Sequence, residues 1–149
     1  MEIRPANQTD SEDLLIWRND PLSVSMSEFN QTVTHEQHAN WIKLSLCNPN
    51  RAIFIGELKG LKIGVCRFDY VPQGKYSDTS INLNPIARSK GFSPTLLAEC
   101  IKQYQLIYNG RPLKARIRKQ NLASIRLFEK CNFILKDADE NFYIYLLEN

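Results

Sequence analysis

One junction limits most strongly what this chain can fold into: a strand, a polar loop and a helix that follow one another directly. Residues 77–84 alternate between apolar and polar side chains, which is the period of a half-buried strand. After the loop at 85–92, residues 94–108 repeat their apolar side chains at helical spacing. Because each element is apolar on one face, the helix is expected to pack against the sheet that contains the strand.

The remaining segments predict further strands and helices on both sides of this junction. A first helix is expected to end at Pro21, and residues 22–33 are expected to be irregular. The order β-α-α-β-β-β-α-β-α-β-β predicts an α/β chain of the α+β type, in which a mixed, mostly antiparallel sheet of about seven strands is flanked by four helices. We expect a single domain over residues 1–149. The other predicted strands cover 2–5, 52–58, 61–71, 113–118, 133–136 and 141–147, and the other predicted helices cover 35–47 and 121–131.

Composition argues against several classes of function. The formal net charge is only +3, so charge gives no argument for nucleic-acid binding. No stretch approaches the ~20 apolar residues of a membrane helix, and the first residues lack the apolar segment of a signal peptide. The four cysteines have neither metal-clamp nor disulfide spacing, which predicts free, buried thiols and no metal site. We therefore expect a cytoplasmic monomer or homodimer without a nucleic-acid or membrane partner.

The loop before the long helix has the features of a phosphate site. Ser93 is a suitable N-cap, and Pro94 suits the first helical position, where its missing N–H costs nothing. The unpaired N–H groups of a helix start attract anions, and Gly91 lets the backbone come close to one. Arg88 and Lys90 add positive charge. On these residues alone, an ordinary connection between a strand and a helix explains the loop equally well.

Two motifs resemble those of the GNAT acyltransferase superfamily. The segment Arg88-Ser89-Lys90-Gly91-Phe92-Ser93 is similar to the pyrophosphate-binding motif of that family, (Q/R)-x-x-G-x-(G/A), and departs from it at the sixth position. Residues 121–133, NLASIRLFEKCNF, resemble the N-x-x-S-x-x-L-Y-x-K-x-G-F helix of the family. The order of the predicted elements also fits, so the resemblance covers nearly the whole chain. It implies an N-acyltransferase that takes its acyl group from acetyl-CoA.

The resemblance also implies where the coenzyme lies. In the family, the strand at 77–84 splays from its neighbour, and its free backbone groups pair with the pantetheine arm. The loop at 88–93 holds the pyrophosphate. Lys130 is expected near the nucleotide, although an exposed helix lysine is the alternative. The residues predicted to bind the coenzyme are Ile81, Asn82, Leu83, Arg88, Ser89, Lys90, Gly91, Phe92, Ser93, Asn121, Ser124, Phe128 and Lys130.

Acetyl transfer to an amine needs a base for the amine proton and stabilisation of the departing thiolate. Asp78 is the first candidate for the base, and His38 is the second because an imidazole titrates near neutral pH. A surface carboxylate and a capping or half-buried histidine are the alternatives. The family often carries a tyrosine as general acid where this chain has Phe128, so either another group donates the proton or the thiolate leaves without an acid. The other groups considered are Tyr108, Tyr143 and Tyr145.

Two segments indicate the class of acceptor. W-R-N-D-P at 17–21 and H-x-x-W at 38–41 are similar to a GNAT branch that includes the N-acetyltransferases of pseudaminic acid and related amino-sugar nucleotide pathways. The resemblance implies a nucleotide-linked 4-amino-4,6-dideoxy sugar in surface-glycan biosynthesis. Ribosomal-protein N-terminal acetyltransferases share part of this layout, so a peptide N-terminus or another small amine is the alternative acceptor, and a non-catalytic acyl-CoA-binding protein is the further alternative. The predicted acceptor-binding residues, for which core packing and surface solvation are the alternatives, are Trp17, Arg18, Asn19, Phe29, Trp41, Arg67, Arg116 and Arg118.

Overall fold

The computed structural model describes residues 1–148, which form a seven-stranded sheet with helices on both faces. The strand order β1-β2-β3-β4-β5-β7-β6 is antiparallel except between β4 and β5, so the predicted mixed, mostly antiparallel fold is confirmed. The strands are β1 (Glu2–Pro5), β2 (Arg51–Leu58), β3 (Leu61–Val71), β4 (Tyr76–Leu83), β5 (Leu113–Arg118), β6 (Ile134–Ala138) and β7 (Phe142–Leu147). The helices are α1 (Ser11–Arg18), α2 (Pro21–Met26), α3 (His35–Leu46), α4 (Ser93–Ile107) and α5 (Leu122–Lys130), with 3-10 turns at Gln8–Asp10 and Pro85–Ala87.

The helices pack on opposite faces of the sheet and form two cores. The main core joins the sheet to α4 and α5 and contains Phe54 of β2. The second core joins the sheet to α1 and α3 and contains Ile53 and Ile55, the two neighbours of Phe54. Successive side chains of a strand point to opposite faces, so this alternation places the two helix layers on the two sides of the sheet.

A glycine lets α4 lie directly on the sheet. A Cβ atom on Gly64 of β3 would stand 2.7 Å from the Asn82 carbonyl oxygen of β4 and 2.8 Å from a methyl group of Leu96 of α4. Glycine therefore leaves room for the close approach of the strand and the first turns of the helix. The start of α4 is thereby held beside the end of β4, where the loop at 85–92 leaves the sheet.

Two local features differ from the sequence predictions. Residues 22–33 were expected to be irregular, but α2 begins at Pro21 because the Asp20 side chain accepts hydrogen bonds from the N–H groups of Leu22 and Ser23. The described residues thus form five helices rather than four, and none is long and apolar enough to cross a membrane. The helix α4 begins at Ser93 rather than after it, with Phe92 at the cap position and without a side-chain cap.

The four cysteines are free thiols, and two of them differ from the prediction that they are buried. Cys66 and Cys100 are buried and Cys131 is half-buried, but Cys47 is exposed because it follows the last turn of α3 at the surface. Within residues 1–148, no group of three or more histidine, cysteine, aspartate or glutamate side chains is placed to hold a metal ion.

A buried carboxylate joins β1, α1 and β3. Both carboxylate oxygens of Asp10 accept hydrogen bonds of 2.8 Å from Arg4, and Nζ of Lys62 lies 2.9 Å away. Burial alone would raise the pKa of Asp10, but hydrogen bonds from Arg4, from the N–H of Asn7 and from Lys62 outweigh it and hold that pKa well below its usual range. The ionised carboxylate therefore stabilises the folded state at neutral pH.

Replacing Asp10 by alanine is expected to lower the free energy of unfolding by about 3 kcal/mol at neutral pH, because it removes one partner of a buried charged network. In the wild type this contribution is present above about pH 4, the pKa of an unfolded aspartate, and is lost as the pH falls toward the depressed pKa of the folded state. Denaturant titrations of both proteins at neutral and acidic pH measure it, with the exposed Asp137→Ala as control. A constant difference between Asp10→Ala and wild type over this whole range would contradict the assignment.

Candidate functional site

The central feature of the site is a gap between β4 and β5, which we call the central gap. Within residues 1–148 the two strands pair only at Ser77–Leu113 and Asp78–Lys114, and they diverge beyond these pairs. On its other side, β4 remains paired with β3 along its whole length. The backbone groups of residues 79–83 that face β5 are therefore left without a strand partner. This confirms the splayed strand pair that the resemblance implies.

The loop that follows β4 has unpaired backbone N–H groups. Ser89 and Gly91 have positive φ angles of 60° and 78°, which turn the chain sharply before α4. In the part of the chain that the structure describes, no group accepts a hydrogen bond from the N–H groups of residues 89–92. A Cβ atom on Gly91 would meet no other atom within 4 Å, so the loop is open at this point. Free N–H groups next to a helix start can bind a phosphate group.

The Arg88 side chain turns from this loop toward α2. Its Nη2 lies 2.7 Å from Asp20 Oδ2 and donates to Ser23 Oγ at 3.0 Å. Ser23 in turn donates to Asn82 Oδ1 on β4 at 2.9 Å. The hydrogen bond from Arg88 lowers the pKa of Asp20 below its ordinary value. Arg88 is the first residue of the predicted pyrophosphate motif. Its main chain forms part of the loop, but its side chain contacts Asp20 and Ser23 at the start of α2.

The second motif forms α5, which follows β5 across the central gap. Asn121 caps this helix, and its Oδ1 accepts a hydrogen bond of 3.2 Å from the N–H of Ser124. Phe128 is 3% exposed and meets Phe133 edge to face, with ring centroids 4.9 Å apart. Lys130 is exposed in the last turn. Phe128 therefore packs in the main core.

A half-buried carboxylate without a partner lies where the central gap opens. Asp78 belongs to the face of the sheet that carries α1 and α3, in one row with Asp69 of β3 and Lys114 of β5. Among the described residues, none forms an ion pair or a hydrogen bond with its side chain. Burial raises the pKa of Asp78; Lys114 and Arg67 oppose this rise, and Asp69 adds to it. An aspartate with a raised pKa and a free carboxylate suits a general base.

Cations without full partners lie on the same face. Arg67 of β3 lies against the ring of Trp41 at 5.5 Å, and its Nε is 3.0 Å from Asp69 Oδ2 but out of line for a hydrogen bond. Arg18 Nη1 and His38 Nδ1 are buried and have no hydrogen-bond partner within residues 1–148. Burial and neighbouring positive charges lower the pKa of His38, so its imidazole is neutral at physiological pH. The Arg67 side chain is 36% exposed, so an anionic group can reach it.

The segment at 27–33, which we call the strap, connects α2 to Thr34, the N-cap of α3. The Asn19 side chain accepts from the N–H of Val33 at 2.8 Å and donates to its carbonyl at 2.7 Å. Arg118 of β5 donates to the carbonyl groups of residues 27 and 28 at 2.8 and 2.7 Å. Since Ser23 of α2 is bonded to β4, α2 and the strap together connect the two diverging strands.

Arg116 is the more accessible of the two arginines on β5. Its guanidinium lies 3.5 Å from Glu28 of the strap and 3.1 Å from Asp139, and its side chain is 40% exposed. The ring of Phe142 packs beneath it at 4.1 Å. Exposed ion pairs of this kind are weak, so an anionic ligand can displace the two carboxylates.

Comparison with known proteins identifies the family. The profile described as "Acetyltransferase (GNAT) domain" matches residues 1–134. The chain belongs to the GNAT acetyltransferase family. The prediction of a GNAT-type N-acetyltransferase is thereby confirmed.

Three GNAT proteins illustrate the similarity. Acetyltransferase PseH of Campylobacter jejuni is 28% identical over 135 residues, which cover 89% of this chain and 82% of that protein. Its crystal structure aligns with a TM-score of 0.75 at 20% identity, over 99% of this chain and 96% of that chain. The spermidine N-acetyltransferase of Vibrio cholerae, solved with CoA and spermine, has a TM-score of 0.87 at 14% identity over 99% and 94% of the two chains. An N-acetyltransferase of Staphylococcus aureus has a TM-score of 0.82 at 24% identity over 99% and 97%.

The aromatic residues that the GNAT resemblance assigns to the acceptor lie in different environments. Trp17 is 3% exposed and packs in the second core, so its ring is covered in this structure. Phe29 of the strap is 74% exposed. Trp41 is half-buried and lies between Arg51 and Arg67, 5.6 and 5.5 Å from its ring. Trp41 therefore packs against two arginine side chains and keeps part of its surface accessible.

Each tyrosine considered as a replacement for the GNAT acid is already engaged by a neighbour. Tyr145 donates to Glu129 at 3.2 Å, and its pKa is raised by burial and by that carboxylate. The ring of Tyr108 lies 4.1 Å from the guanidinium of Arg111. The ring of Tyr143 lies 5.3 Å from the ammonium group of Lys119. These positions give no reason to choose one of them as the acid.

Three charged residues beside Asp78 and Arg88 were not among the candidates predicted from the sequence. Lys114 alternates with Arg116 and Arg118 along β5, and this period was the signal that it shares their face. Asp69 gives no local signal, because its role depends on the pairing of β3 with β2 and β4. Asp20 was seen only as one letter of the W-R-N-D-P segment, whereas it caps α2 and binds Arg88.

Proposed function

We propose that this protein transfers the acetyl group of acetyl-CoA to the amino group of a nucleotide-linked 4-amino-4,6-dideoxy sugar, as a step of surface-glycan biosynthesis. The observation that carries the proposal is the free carboxylate of Asp78 at the closed end of the central gap, with the unsatisfied donors of Arg18 and Arg67 on the same face. The similarity to acetyltransferase PseH supports an acceptor of this class.

Free main-chain groups of β4, of the loop at 88–93 and of the start of α4 would bind the coenzyme. Acetyl-CoA supplies the acetyl group as a thioester. The free N–H groups of residues 89–92 and the uncapped start of α4 would bind the pyrophosphate. The unpaired edge of β4 at residues 81–83 would bind the pantetheine arm by strand-like hydrogen bonds. Exposed Lys90 adds a positive charge beside the phosphates, and Asn121 lies at the start of the facing helix.

Asp78 would act as the general base for the acceptor amine. An amine is protonated at neutral pH and attacks the thioester only after it loses a proton. The raised pKa of Asp78 makes its carboxylate a stronger base than an ordinary aspartate. Ser80, exposed two residues further along the same face, can hold a water between the amine and this carboxylate. His38, neutral and buried near Arg18, is the second candidate.

Phe128 leaves the reaction without a side-chain acid at the position where the family often has a tyrosine. A thiol has a pKa of about 8.5, so a thiolate is a good leaving group even without proton donation. We infer that the chain contributes instead through backbone N–H groups of β4 that face the central gap, which would stabilise the negative charge on the thioester oxygen.

The charges around Asp78 favour an anionic acceptor. Within residues 1–148, Arg18 Nη1 and Arg67 Nε have no hydrogen-bond partner, and Lys114 makes a long contact of 3.4 Å to the hydroxyl of Tyr76 and lies 4.5 Å from its ring. A diphosphate would satisfy such donors by charge-assisted hydrogen bonds, whereas a polyamine would place further cations beside them. The half-buried ring of Trp41 next to Arg67 offers an apolar surface to a sugar or a base.

Release of the CoA thiol with a panel of amines tests the proposal. We expect kcat/KM for the nucleotide-linked 4-amino sugar to exceed that for the free amino sugar by at least about tenfold, because the nucleotide brings the diphosphate. Arg67→Met should reduce this preference, and Lys102→Ala, which removes an exposed charge on α4, should not. Activity on spermidine or peptide N-termini alone would overturn the proposed acceptor. Tight binding of acetyl-CoA without acetylation of any amine would favour a non-catalytic binding protein.

A further inference from the structure

Four polar side chains connect the predicted coenzyme loop to the acceptor side of the sheet. They are Arg88, Asp20, Ser23 and Asn82, and we call them the Arg88 network. The Asp20 and Arg88 side chains are only 18% and 26% exposed, so their ion pair of 2.7 Å is largely shielded from solvent. The same guanidinium donates to Ser23, which donates to Asn82 on β4. Charge-assisted hydrogen bonds in such surroundings are stronger than those of exposed pairs.

We propose that Arg88 is a positioning residue for the acceptor site and not a ligand of the coenzyme pyrophosphate. This inference rests on the proposed function, because it assigns the loop at 88–93 to acetyl-CoA. The Arg88 side chain contacts α2, and its contacts there are made by both Asp20 and Ser23. The pyrophosphate is then left to the N–H groups of residues 89–92 and to the exposed Lys90.

The Arg88 network attaches α2 to the coenzyme loop and to β4. This helix has six residues, and none of them is buried, so core packing does little to hold it. The strap continues directly from α2 and bonds to Arg118 on the far side of the central gap. Loss of the Arg88 side chain is therefore expected to loosen α2 and the strap while it leaves the main chain of the coenzyme loop in place.

The network also makes the two binding sites depend on each other. A coenzyme that orders the main chain at 88–92 would order the guanidinium of Arg88 as well, and through it α2. Two sites coupled in this way show reciprocal effects on affinity. We expect acetyl-CoA to slow hydrogen exchange in residues 21–33, although the proposal gives the coenzyme no contact with them.

Three substitutions separate this role from direct binding of the coenzyme. Arg88→Ala removes the attachment, and Arg88→Lys keeps its charge. Asp20→Asn keeps a side chain that caps α2 but loses the ion pair. Lys102→Ala is the matched control for loss of one positive charge. The measurements are the Kd of acetyl-CoA by calorimetry, kcat and KM for the nucleotide-linked 4-amino sugar, and hydrogen exchange over residues 21–33.

We expect Arg88→Ala and Asp20→Asn each to raise the acceptor KM about tenfold and to change the Kd of acetyl-CoA by less than about twofold, because each removes a charge-assisted hydrogen bond outside the coenzyme site. The acceptor KM of the double variant should be little higher than that of either single variant. Arg88→Lys should have an acceptor KM between those of Arg88→Ala and wild type. A fall of coenzyme affinity by about tenfold or more in Arg88→Ala, with Asp20→Asn unchanged or tighter, would overturn the inference, because Arg88 would then bind the pyrophosphate itself.

The exchange measurement separates this inference from the proposed function, since it needs no turnover. If no amine is acetylated, the proposed function fails, but protection of residues 21–33 by acetyl-CoA in wild type and its loss in Arg88→Ala would still support the attachment. If wild type binds acetyl-CoA without any change of exchange in residues 21–33, the coupling is wrong even when turnover is normal.

Discussion

Asp78→Asn is expected to lower kcat about 10²–10⁴-fold, because the amide keeps the shape of the side chain but cannot accept a proton. The affinity for acetyl-CoA should stay within about twofold of wild type, since Asp78 lies on the face of the sheet that carries α1 and α3 and the contacts proposed for the coenzyme are made by main-chain groups. Thiol release at saturating substrates measures the first quantity, and calorimetry measures the second. Asp137→Asn, an exposed aspartate of β6, is the control.

Asp78→Asn is expected to lower kcat but not to lower the stability of the protein. The pKa of Asp78 is raised in the folded protein, so its ionised form costs the folded state free energy at neutral pH, and this cost disappears as the pH falls through the raised pKa. The amide removes the half-buried charge, and the Tm at neutral pH should be unchanged or higher. A large loss of Tm together with the loss of kcat would instead indicate a structural role.

The pH profile gives a third readout for Asp78. A base must be ionised, so kcat of the wild type at saturating substrates should fall with decreasing pH around an apparent pKa above the usual ~3.9 of aspartate. This acidic limb should disappear in Asp78→Asn and persist in Asp137→Asn. An acidic limb that is unchanged in Asp78→Asn would assign the base to another group, and His38 is the second candidate.

Gly91→Glu is expected to weaken acetyl-CoA binding by at least about 100-fold, because it places a carboxylate beside the site proposed for the pyrophosphate and repels it. The space around Gly91 is open, so the new side chain needs no rearrangement of the core. The loss should therefore appear in the Kd measured by calorimetry and not in the fold. Circular dichroism of the variant should match that of wild type.

A second glycine provides a matched control for this experiment. Gly60, in the turn between β2 and β3, has a φ of 80° against 78° for Gly91, and neither has an atom within 4 Å of the added Cβ. Gly60→Glu therefore carries the same backbone strain of about 1–2 kcal/mol and the same charge, but lies away from the loop. If Gly91→Glu and Gly60→Glu bind acetyl-CoA equally well, the loop does not hold the pyrophosphate.

The sequence predicts the regular part of this fold well, because its signals are local. The two-residue period of 77–84 and the helical period of 94–108 correspond to β4 and α4. Thr34 and Gln37 form a capping box at the start of α3, which begins where the sequence predicts. The resemblance to the GNAT motifs added the divergence of β4 from β5, which no local pattern encodes.

The parts that the sequence did not predict depend on contacts between distant residues. The Arg88 side chain meets Asp20 and Ser23, more than 60 positions earlier in the chain, and no periodic pattern links these segments. The short helix α2 buries no residue, so it has no apolar stripe to reveal it. Trp17 and Trp41 look alike in sequence, and only the packing of α1 and α3 decides which ring is covered.

A crystal structure of the protein with acetyl-CoA would show directly where the coenzyme binds. We expect the pyrophosphate to accept hydrogen bonds from the N–H groups of residues 89–92 and the pantetheine to lie along the free edge of β4. We also expect the acetyl group to end beside Asp78, while Arg88 remains on Asp20. A coenzyme bound away from the central gap would show that β4 and the loop at 88–93 are not its site, and an acetyl group that faces away from Asp78 would show that Asp78 is not the base.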